Sequence, residues 1–172
     1  SPYKNPKLKD GPDGEHLPDR LARESVQFLE DNGNHPFLLY LSFYSVHTPL
    51  QGRKDLIEKY EAKAKQMQVD GPEFLPEGEH QARQVQNHAV FAAMVEAMDE
   101  AVGTVLDALK RLGLDGNTSV FFMADNGGLS TAEGAPTSNV PLRAGKGWLY
   151  EGGIRVPLIA KWPGVTEPGS EC

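Results

Sequence analysis

The sequence predicts an α/β layered fold, in which a mainly parallel sheet is flanked by helices. Short apolar runs, typical of strands buried on both faces, alternate with longer stretches of helical periodicity. Such alternation produces parallel strands joined by right-handed helical crossovers. The length of 172 residues fits one domain, and a chain of this size can bury roughly 70% of the surface that it exposes when unfolded. We therefore expect residues 1–172 to form a single domain.

Apolar residues that recur every three or four positions predict three helices. The expected ranges are Asp19–Asp31, Arg53–Lys65 and Val85–Leu112. Asp19 is the expected N-cap of the first helix, which follows an irregular loop over residues 1–17. A second loop is expected at Val69–Gly78. Gly113 is placed to end the longest helix, since glycine is common just after a helix C-terminus.

Three short apolar runs predict strands. Their ranges are Phe37–Phe43, Ser119–Ala124 and Ile154–Trp162. Pro49 stops the ladder after the first run, and Pro157 places the third strand near an edge or a bulge of the sheet. Between the second and third runs lies a long Gly/Ser/Pro loop, Leu129–Gly147. Loops of this length are usually functional or disordered.

Composition excludes several classes of protein. The net charge is −7 and the pI is near 5.2, which argues against a nucleic-acid partner because such a protein needs a basic stripe. The longest nearly apolar stretch, 37–46, falls far short of the roughly 20 residues of a membrane span. Cys172 is the single cysteine, so an internal disulfide and a Cys-based metal motif are both excluded.

Two predicted strands end in polar residues. His47 follows the first strand, and Asp125 with Asn126 follows the second. Ligands of open α/β sheets sit outside the carboxyl ends of the strands, so these side chains meet if the two strands are neighbours. Asp125 and Asn126 offer the hard oxygen ligands that suit Ca²⁺ or Mg²⁺. The same Asp-Asn-Gly run also fits an Asx turn that simply reverses the chain.

Two further side chains are candidates for contacting an oxyanion. His47 fits a phosphate- or sulfate-contacting donor or a general acid for a leaving oxygen, and it also fits a hydrogen-bonded structural histidine. Lys146 lies between Gly145 and Gly147, which leaves its amine accessible to a tetrahedral oxyanion. A solvated surface lysine is the alternative. The GxxxxGK[ST] frame of a phosphate-binding P-loop is absent around it.

Taken in chain order, four stretches resemble the sulfatase family of the alkaline-phosphatase-like superfamily. They are PFLLYLSFYSVHTPLQ (Pro36–Gln51), MVEAMDEAVGTVLDAL (Met94–Leu109), NTSVFFMADNGG (Asn117–Gly128) and GKGWLYEGGIRVPLIAKWPG (Gly145–Gly164). The resemblance covers nearly the whole chain. It implies that residues 1–172 are the middle part of a sulfatase catalytic domain with an alkaline-phosphatase-like fold. It also implies hydrolysis of sulfate monoesters, with a sulfated small molecule or glycan as substrate.

The resemblance implies roles for individual residues. Asp125 and Asn126 match two of the family's ligands for a divalent cation, usually Ca²⁺, with Mg²⁺ as the alternative. His47 matches the histidine that faces the sulfate and assists the leaving group. Lys146 matches the lysine that binds sulfate oxygens in the transition state. The family's nucleophile is a formylglycine, made from a cysteine or serine near the start of the full enzyme.

The chain departs from the family pattern in its nucleophile. The C-x-P-S-R motif that yields formylglycine is absent, as are the paired aspartates that complete the metal site, and Cys172 lies outside any such motif. We therefore expect an internal fragment of a longer sulfatase that is inactive alone. The alternatives are a phosphodiesterase, phosphonate hydrolase or phosphatase of the same superfamily, and a non-catalytic module that keeps the scaffold. The residues leave the localisation unknown, and only the resemblance favours the periplasm or secretion.

Overall fold

The computed structural model describes residues 9 and 11–171, and within them it has four helices and four short strands. In chain order these are α1 (Leu17–Asn32), α2 (Lys54–Gln66), β1 (Phe74–Glu77), β2 (His80–Arg83), α3 (Ala89–Arg111), β3 (Val120–Met123), α4 (Glu151–Ile154) and β4 (Leu158–Lys161). The α/β class is confirmed. The expected mainly parallel sheet is wrong for the described residues, where the strands form two antiparallel pairs, β1–β2 and β3–β4.

Helix α3 is the centre of the core. One of its sides packs against α1, where Leu29, Ala108 and Leu109 are buried together. Its other side packs against α2, where Leu56 meets Ala93 and Ala97. Small alanines let the helices approach closely, so the apolar stripes of all three helices leave water. No described helix is long and apolar enough to cross a membrane.

The ends of α1 correct the expected N-cap. The helix begins at Leu17 with His16 as its N-cap, two residues before the predicted start, and His16 makes no capping hydrogen bond with its side chain. Pro18 fits the first turn because its fixed φ suits a helix start and its missing N–H is not needed there. Asp19 therefore lies in the first turn, where its charge favours the positive end of the helix dipole. Of the predicted loop 1–17, residues 1–8 and 10 lie outside the described residues.

Helix α3 starts later than its apolar pattern predicts. Residues 85–88 are not helical, and the His88 ring accepts a hydrogen bond from Phe91 N at 3.3 Å as the N-cap. The predicted C-terminus is confirmed: Gly113 has a φ of 69°. Gly113 N donates to Lys110 O at 3.0 Å and Leu114 N to Leu109 O at 2.8 Å, which is the Schellman pattern of helix ends.

A hairpin replaces the second half of the loop expected at Val69–Gly78. Strands β1 and β2 pair antiparallel, with Glu77 opposite His80. The two-residue turn therefore consists of Gly78 and Glu79, and Gly78 has a φ of 60°. A glycine at the first central position is what a type II′ hairpin turn requires. This Gly-Glu step was the sequence signal of the hairpin.

The three predicted strands differ from the structure in register and burial. Strand β3 lies within the predicted Ser119–Ala124. Strand β4 occupies only Leu158–Lys161 of the predicted Ile154–Trp162, and Ile154 is instead the last residue of the short helix α4. The segment Phe37–Phe43 is extended but is not assigned as a strand. Its residues alternate between half-buried and exposed, with Leu38 89% exposed. An apolar run becomes a strand only beside a pairing partner, and no described strand pairs with it.

Candidate active site

His47 stands at a turn that follows the extended segment 37–43. Phe37 and Leu39 pack against the α1–α3 cluster, which anchors the segment to the core. The backbone then turns, and His47 N donates to Tyr44 O at 2.8 Å. The imidazole is exposed, so the apolar run delivers a polar side chain to the surface at its carboxyl end.

Lys146 is placed by a loop that is bonded to the residues after β3. Lys146 N donates to Gly128 O at 3.0 Å. Gly145 is buried against the same carbonyl, and a Cβ on Gly145 would collide with it. Only glycine permits this close approach of two backbones. The glycine before the lysine therefore brings Lys146 against the end of β3.

The structure brings His47 and Lys146 into contact. The Lys146 Nζ lies 2.9 Å from the His47 Nε2. His47 Nδ1 lies 2.7 Å from the carbonyl oxygen of Thr48. A carbonyl accepts only, so Nδ1–H donates to it, and Nε2 is then placed to accept from the Lys146 ammonium. An amine and an imidazole thus meet at one exposed point.

Asp125 and Asn126 lie directly after β3, on the segment that is bonded to the lysine loop. Gly127 N donates to Gly153 O at 3.0 Å, which ties this segment to the residues beyond Lys146. The Asn126 Nδ2 donates to Gly127 O at 2.9 Å, so its Oδ1 is left for another partner. The alternative Asx turn needs a side-chain oxygen that accepts from the backbone, and neither side chain accepts such a bond within the described residues.

The donor set fits part of a calcium or magnesium shell. Asp125 is exposed and Asn126 half-buried, and each offers an oxygen of the kind that these cations prefer. Among residues 9 and 11–171 there is no group of three or more His, Cys, Asp or Glu side chains that could hold a metal ion. Within the described residues, Asp125 and Asn126 could therefore supply at most two of the six to eight oxygen ligands that a Ca²⁺ shell takes.

The sequence did not single out Asn139, which holds the site loops together. Its Nδ2 donates to Gly128 O at 2.8 Å and to Ala144 O at 2.9 Å. Its Oδ1 accepts from Gly128 N at 3.1 Å. One amide therefore fixes both the segment after β3 and the residues before Lys146. An asparagine inside a Ser/Pro-rich loop gives no sequence signal that separates this role from ordinary turn chemistry.

The β1–β2 hairpin lies beside the loop that carries Lys146, residues 143–150, which is called the lysine loop. Arg143 Nη2 lies 2.7 Å from a Glu77 oxygen, and the Arg143 hydrogen bonds lower the pKa of Glu77 below its ordinary value. Arg143 also lies 3.9 Å from the centre of the Tyr150 ring. Trp148 donates from its Nε1 to Thr131 Oγ1 at 2.9 Å. These contacts fix the loop on both sides of Lys146.

A second ion pair near the site joins Glu151 and Arg155. Glu151 and Arg155, which flank Gly152 and Gly153, are more simply explained as a structural pair than as a site. The structure shows Arg155 Nη1 3.0 Å from a Glu151 oxygen, with both side chains largely exposed. An exposed pair four residues apart contributes about 0.3–0.5 kcal/mol. It stabilises the short helix α4.

Comparison with known proteins agrees with this architecture. The chain matches the Sulfatase family over residues 1–171. A sulfatase of Formosa agariphila is 40% identical over 176 residues, which cover 96% of this chain and 28% of that protein. The steryl-sulfatase of Rattus norvegicus is 38% identical over 161 residues, covering 90% of this chain and 23% of its own. The chain thus spans about a quarter of the length of these relatives.

Solved structures give the same result. The complex of Ps i-CgsB with k-i-k-neocarrahexaose is 32% identical and superposes with a TM-score of 0.69 over 92% of this chain and 30% of that one. The PsFucS1 sulfatase from Pseudoalteromonas sp. is 30% identical with a TM-score of 0.57, over 84% of this chain and 24% of its own.

Fold and relatives together define the class of protein. Helices packed around α3 and short sheets form a partial α/β domain of the alkaline-phosphatase-like fold, the scaffold of sulfatase-like hydrolases. Within that class the match is specific, because it extends over essentially every residue. The chain belongs to the sulfatase family.

Proposed function

We propose that this chain carries the leaving-group side and half of the metal site of a sulfuric ester hydrolase, which hydrolyses sulfate monoesters as the full-length enzyme. The observation that carries the proposal is the contact of 2.9 Å between Lys146 Nζ and His47 Nε2. These residues are 99 positions apart in the chain. The Lys146 ammonium and an imidazole protonated at Nε2 would both donate at this exposed point, which suits an anion whose oxygens all accept hydrogen bonds.

The chemistry follows from which groups can donate. Lys146 offers three N–H donors to the sulfate oxygens, on which negative charge spreads in a trigonal, SO₃-like transition state. With a proton taken up from solvent on Nε2, His47 faces the ester oxygen and gives that proton to it as the oxygen leaves as an alcohol or phenol. In the ligand-free state Nε2 accepts from Lys146. Substrate binding therefore requires Lys146 to turn its donors from the imidazole to the sulfate.

Asp125 and Asn126 are the proposed metal ligands of this chain. They would hold a divalent cation, Ca²⁺ or Mg²⁺, which supplies polarisation of the sulfate oxygens. The backbone bonds from Gly127 to Gly153 and from Lys146 to Gly128 support the proposal. Through them, the ligands and the lysine share one rigid framework.

The nucleophile is the part of the site that these residues do not contain. The family's formylglycine arises from a C-x-P-S-R motif, which is absent from the sequence. We infer that the 172-residue chain alone does not turn over a sulfate ester. Multiple turnover of 4-nitrophenyl sulfate by this chain, after removal of contaminating enzymes, would contradict that inference.

The proposed substrate is a sulfated glycan or a sulfated small molecule. One structural neighbour is a complex with a neocarrahexaose, and a rat relative is a steryl-sulfatase. The exposed position of His47 is compatible with a bulky alcohol part. A periplasmic or secreted location is proposed on family resemblance alone.

Substitutions in the full-length enzyme test the two catalytic assignments. Lys146→Ala should lower kcat/KM for 4-nitrophenyl sulfate by about 10²–10³, the usual effect of losing a transition-state donor. His47→Ala should harm an alkyl sulfate more than the nitrophenyl ester, because only the poor leaving group needs a proton. Lys54→Ala is the control, since its side chain is 92% exposed and pairs with Glu58 of the same helix.

Three outcomes of that experiment separate the alternatives. Equal losses for both esters in His47→Ala would remove the leaving-group role. Faster turnover of phosphate monoesters or diesters than of sulfates would support the phosphatase alternative. No turnover of any ester by the full-length protein would support a non-catalytic module.

Metal binding is tested by calcium titration of the full-length protein. Asp125→Ala should weaken binding by at least tenfold, because one of a few anionic ligands is lost. Asp70→Ala is a matched control, as Asp70 is an exposed aspartate in a loop outside the site. Equal affinities for the two variants would refute the ligand assignment.

A further inference from the structure

A third residue, Glu133, reaches the site from the long loop. The Thr48 hydroxyl donates to a carboxylate oxygen of Glu133, which lies 85 positions further along the chain. Thr48 is also the residue whose carbonyl accepts from His47 Nδ1 at 2.7 Å. The carboxylate therefore touches the residue that holds the imidazole, without touching the imidazole itself.

The backbone around Glu133 is held in an unfavourable conformation. Glu133 has a φ of 51°, Gly134 of 84° and Ala135 of 43°, and Ala135 N donates to Ala132 O at 2.7 Å. Positive φ at both central residues is the type I′ turn, which favours glycine or asparagine. A glutamate there costs of order 1 kcal/mol. Such strain persists only where the surrounding contacts enforce it.

Those contacts come from the strand β2 side of the fold. The buried Arg83 donates from Nε to Ala135 O at 2.5 Å, and its backbone N–H donates to Ser130 O at 2.9 Å. Thr137 Oγ1 donates to Gln86 Oε1 at 2.9 Å. The loop is therefore fixed on both sides of Glu133, and only the tip that meets Thr48 is exposed.

From this chain of contacts we propose that Glu133 is a positioning residue for His47, acting through Thr48; the inference rests on the proposed sulfatase function. Glu133 fixes the orientation of Thr48 by accepting its hydroxyl hydrogen. The Thr48 carbonyl then holds Nδ1–H, which sets the ring plane and points Nε2 at Lys146. Without the carboxylate, Thr48 is no longer held in place, so the exposed imidazole loses its fixed direction.

The test uses the full-length enzyme with 4-nitrophenyl sulfate and an alkyl sulfate. Glu133→Gly removes the carboxylate and also relieves the positive φ, so the variant keeps its fold. Its kcat for the alkyl sulfate should fall about tenfold with KM within about twofold, because orientation and not binding is lost. Thr48→Val should do the same, while Thr48→Ser keeps the hydroxyl and the rate. Glu61→Ala, on the exposed side of α2, is the control.

A double-mutant cycle decides between a shared path and two independent effects. If Glu133 acts through Thr48, the variant with both Glu133→Gly and Thr48→Val is no slower than the slower single variant. Losses that multiply, or a Glu133→Gly enzyme with wild-type kcat, overturn the inference while leaving the proposed function intact. Wild-type enzyme without sulfatase activity overturns both.

Discussion

The loop 127–153 is more buried than its composition suggests, whereas the extended segment 37–43 is more exposed. The loop has almost no regular secondary structure, yet Gly127, Ser130 and Gly145 are buried in it. The segment has the composition of a buried strand, yet Tyr40 is 87% exposed. Whether a segment of this chain can be buried depends on whether its backbone N–H and C=O groups have hydrogen-bond partners. An unpaired backbone group costs free energy in the interior but not in water, where it bonds to solvent. Side-chain amides and glycine contacts provide those partners in the loop.

The largest expected loss of stability comes from a close backbone contact of Gly152. A Cβ on Gly152 would collide with the carbonyl oxygens of Arg143 and Ala144. Because neither neighbour is a flexible side chain, Gly152→Ala should destabilise the protein by about 3 kcal/mol, measured by urea unfolding. In Gly103→Ala the new methyl meets open space on α3 and should stabilise by about 0.5–1 kcal/mol. Equal urea midpoints for the two variants would show that the backbone around Gly152 shifts to accommodate the added Cβ.

A smaller loss of stability is expected at Asn139, whose side-chain amide makes hydrogen bonds to the backbone that a neighbouring strand would otherwise make. Asn139→Ala removes the bonds to Gly128 and Ala144 and should cost about 2 kcal/mol, because a buried carbonyl loses its partner. The matched control is Asn117→Ala at an exposed turn, expected within about 0.5 kcal/mol. Thermal unfolding followed by circular dichroism measures both. An indistinguishable pair would mean that water replaces the amide.

The extended segment itself offers a neighbouring pair for comparison. Leu39 packs against the α1–α3 cluster, whereas Leu38 is 89% exposed. Leu39→Ala should cost about 1–2 kcal/mol, below the full core value because the side chain is half-buried. Leu38→Ala should stay within about 0.5 kcal/mol. Similar costs, measured by chemical denaturation, would show that the outer face is covered in solution.

The smallest expected effect is a pH dependence at the start of α3. Burial lowers the pKa of His88 below its ordinary value of 6.5, and its Nδ1 must stay unprotonated to accept from Phe91 N. The unfolded state then binds the proton more readily, so stability is present above pH 6.5 and falls as the pH drops through the folded pKa. His88→Asn, a cap that does not titrate, should flatten unfolding free energy against pH below 6.5. An unchanged slope would place the acid sensitivity elsewhere.

Helix positions were predictable because periodicity and end signals are local. The range of α2 and the Gly113 terminus follow from spacing and from the left-handed conformation that glycine adopts. The antiparallel pairing of the strands was not predictable in the same way, since the pairing of β3 with β4 joins residues 35 to 41 positions apart. The apolar runs alone do not determine which strand pairs with which, or whether the pair is parallel or antiparallel.

The proximity of His47 and Lys146 could be predicted from the sequence, whereas the residues that hold their loops in place could not. His47 and Lys146 were singled out by strand-end position and flanking glycines, and the structure places them in contact. Asn139 and Glu133 lie in a loop whose letters suggest only turns. Their partners, Gly128 and Thr48, are specified by the way in which the loop folds back, and no spacing rule encodes that path.

The contact between residues 47 and 146 has a consequence for the order in which the structure forms. Joining such distant points costs chain entropy that no nearby interaction offsets, so this contact forms only when the remainder of the structure is in place. Helical ellipticity, by contrast, returns with the short-range turns of α1, α2 and α3. During refolding, the contact between Lys146 Nζ and His47 Nε2 should therefore form after the far-ultraviolet signal has recovered, which makes it a stringent reporter of the completed topology.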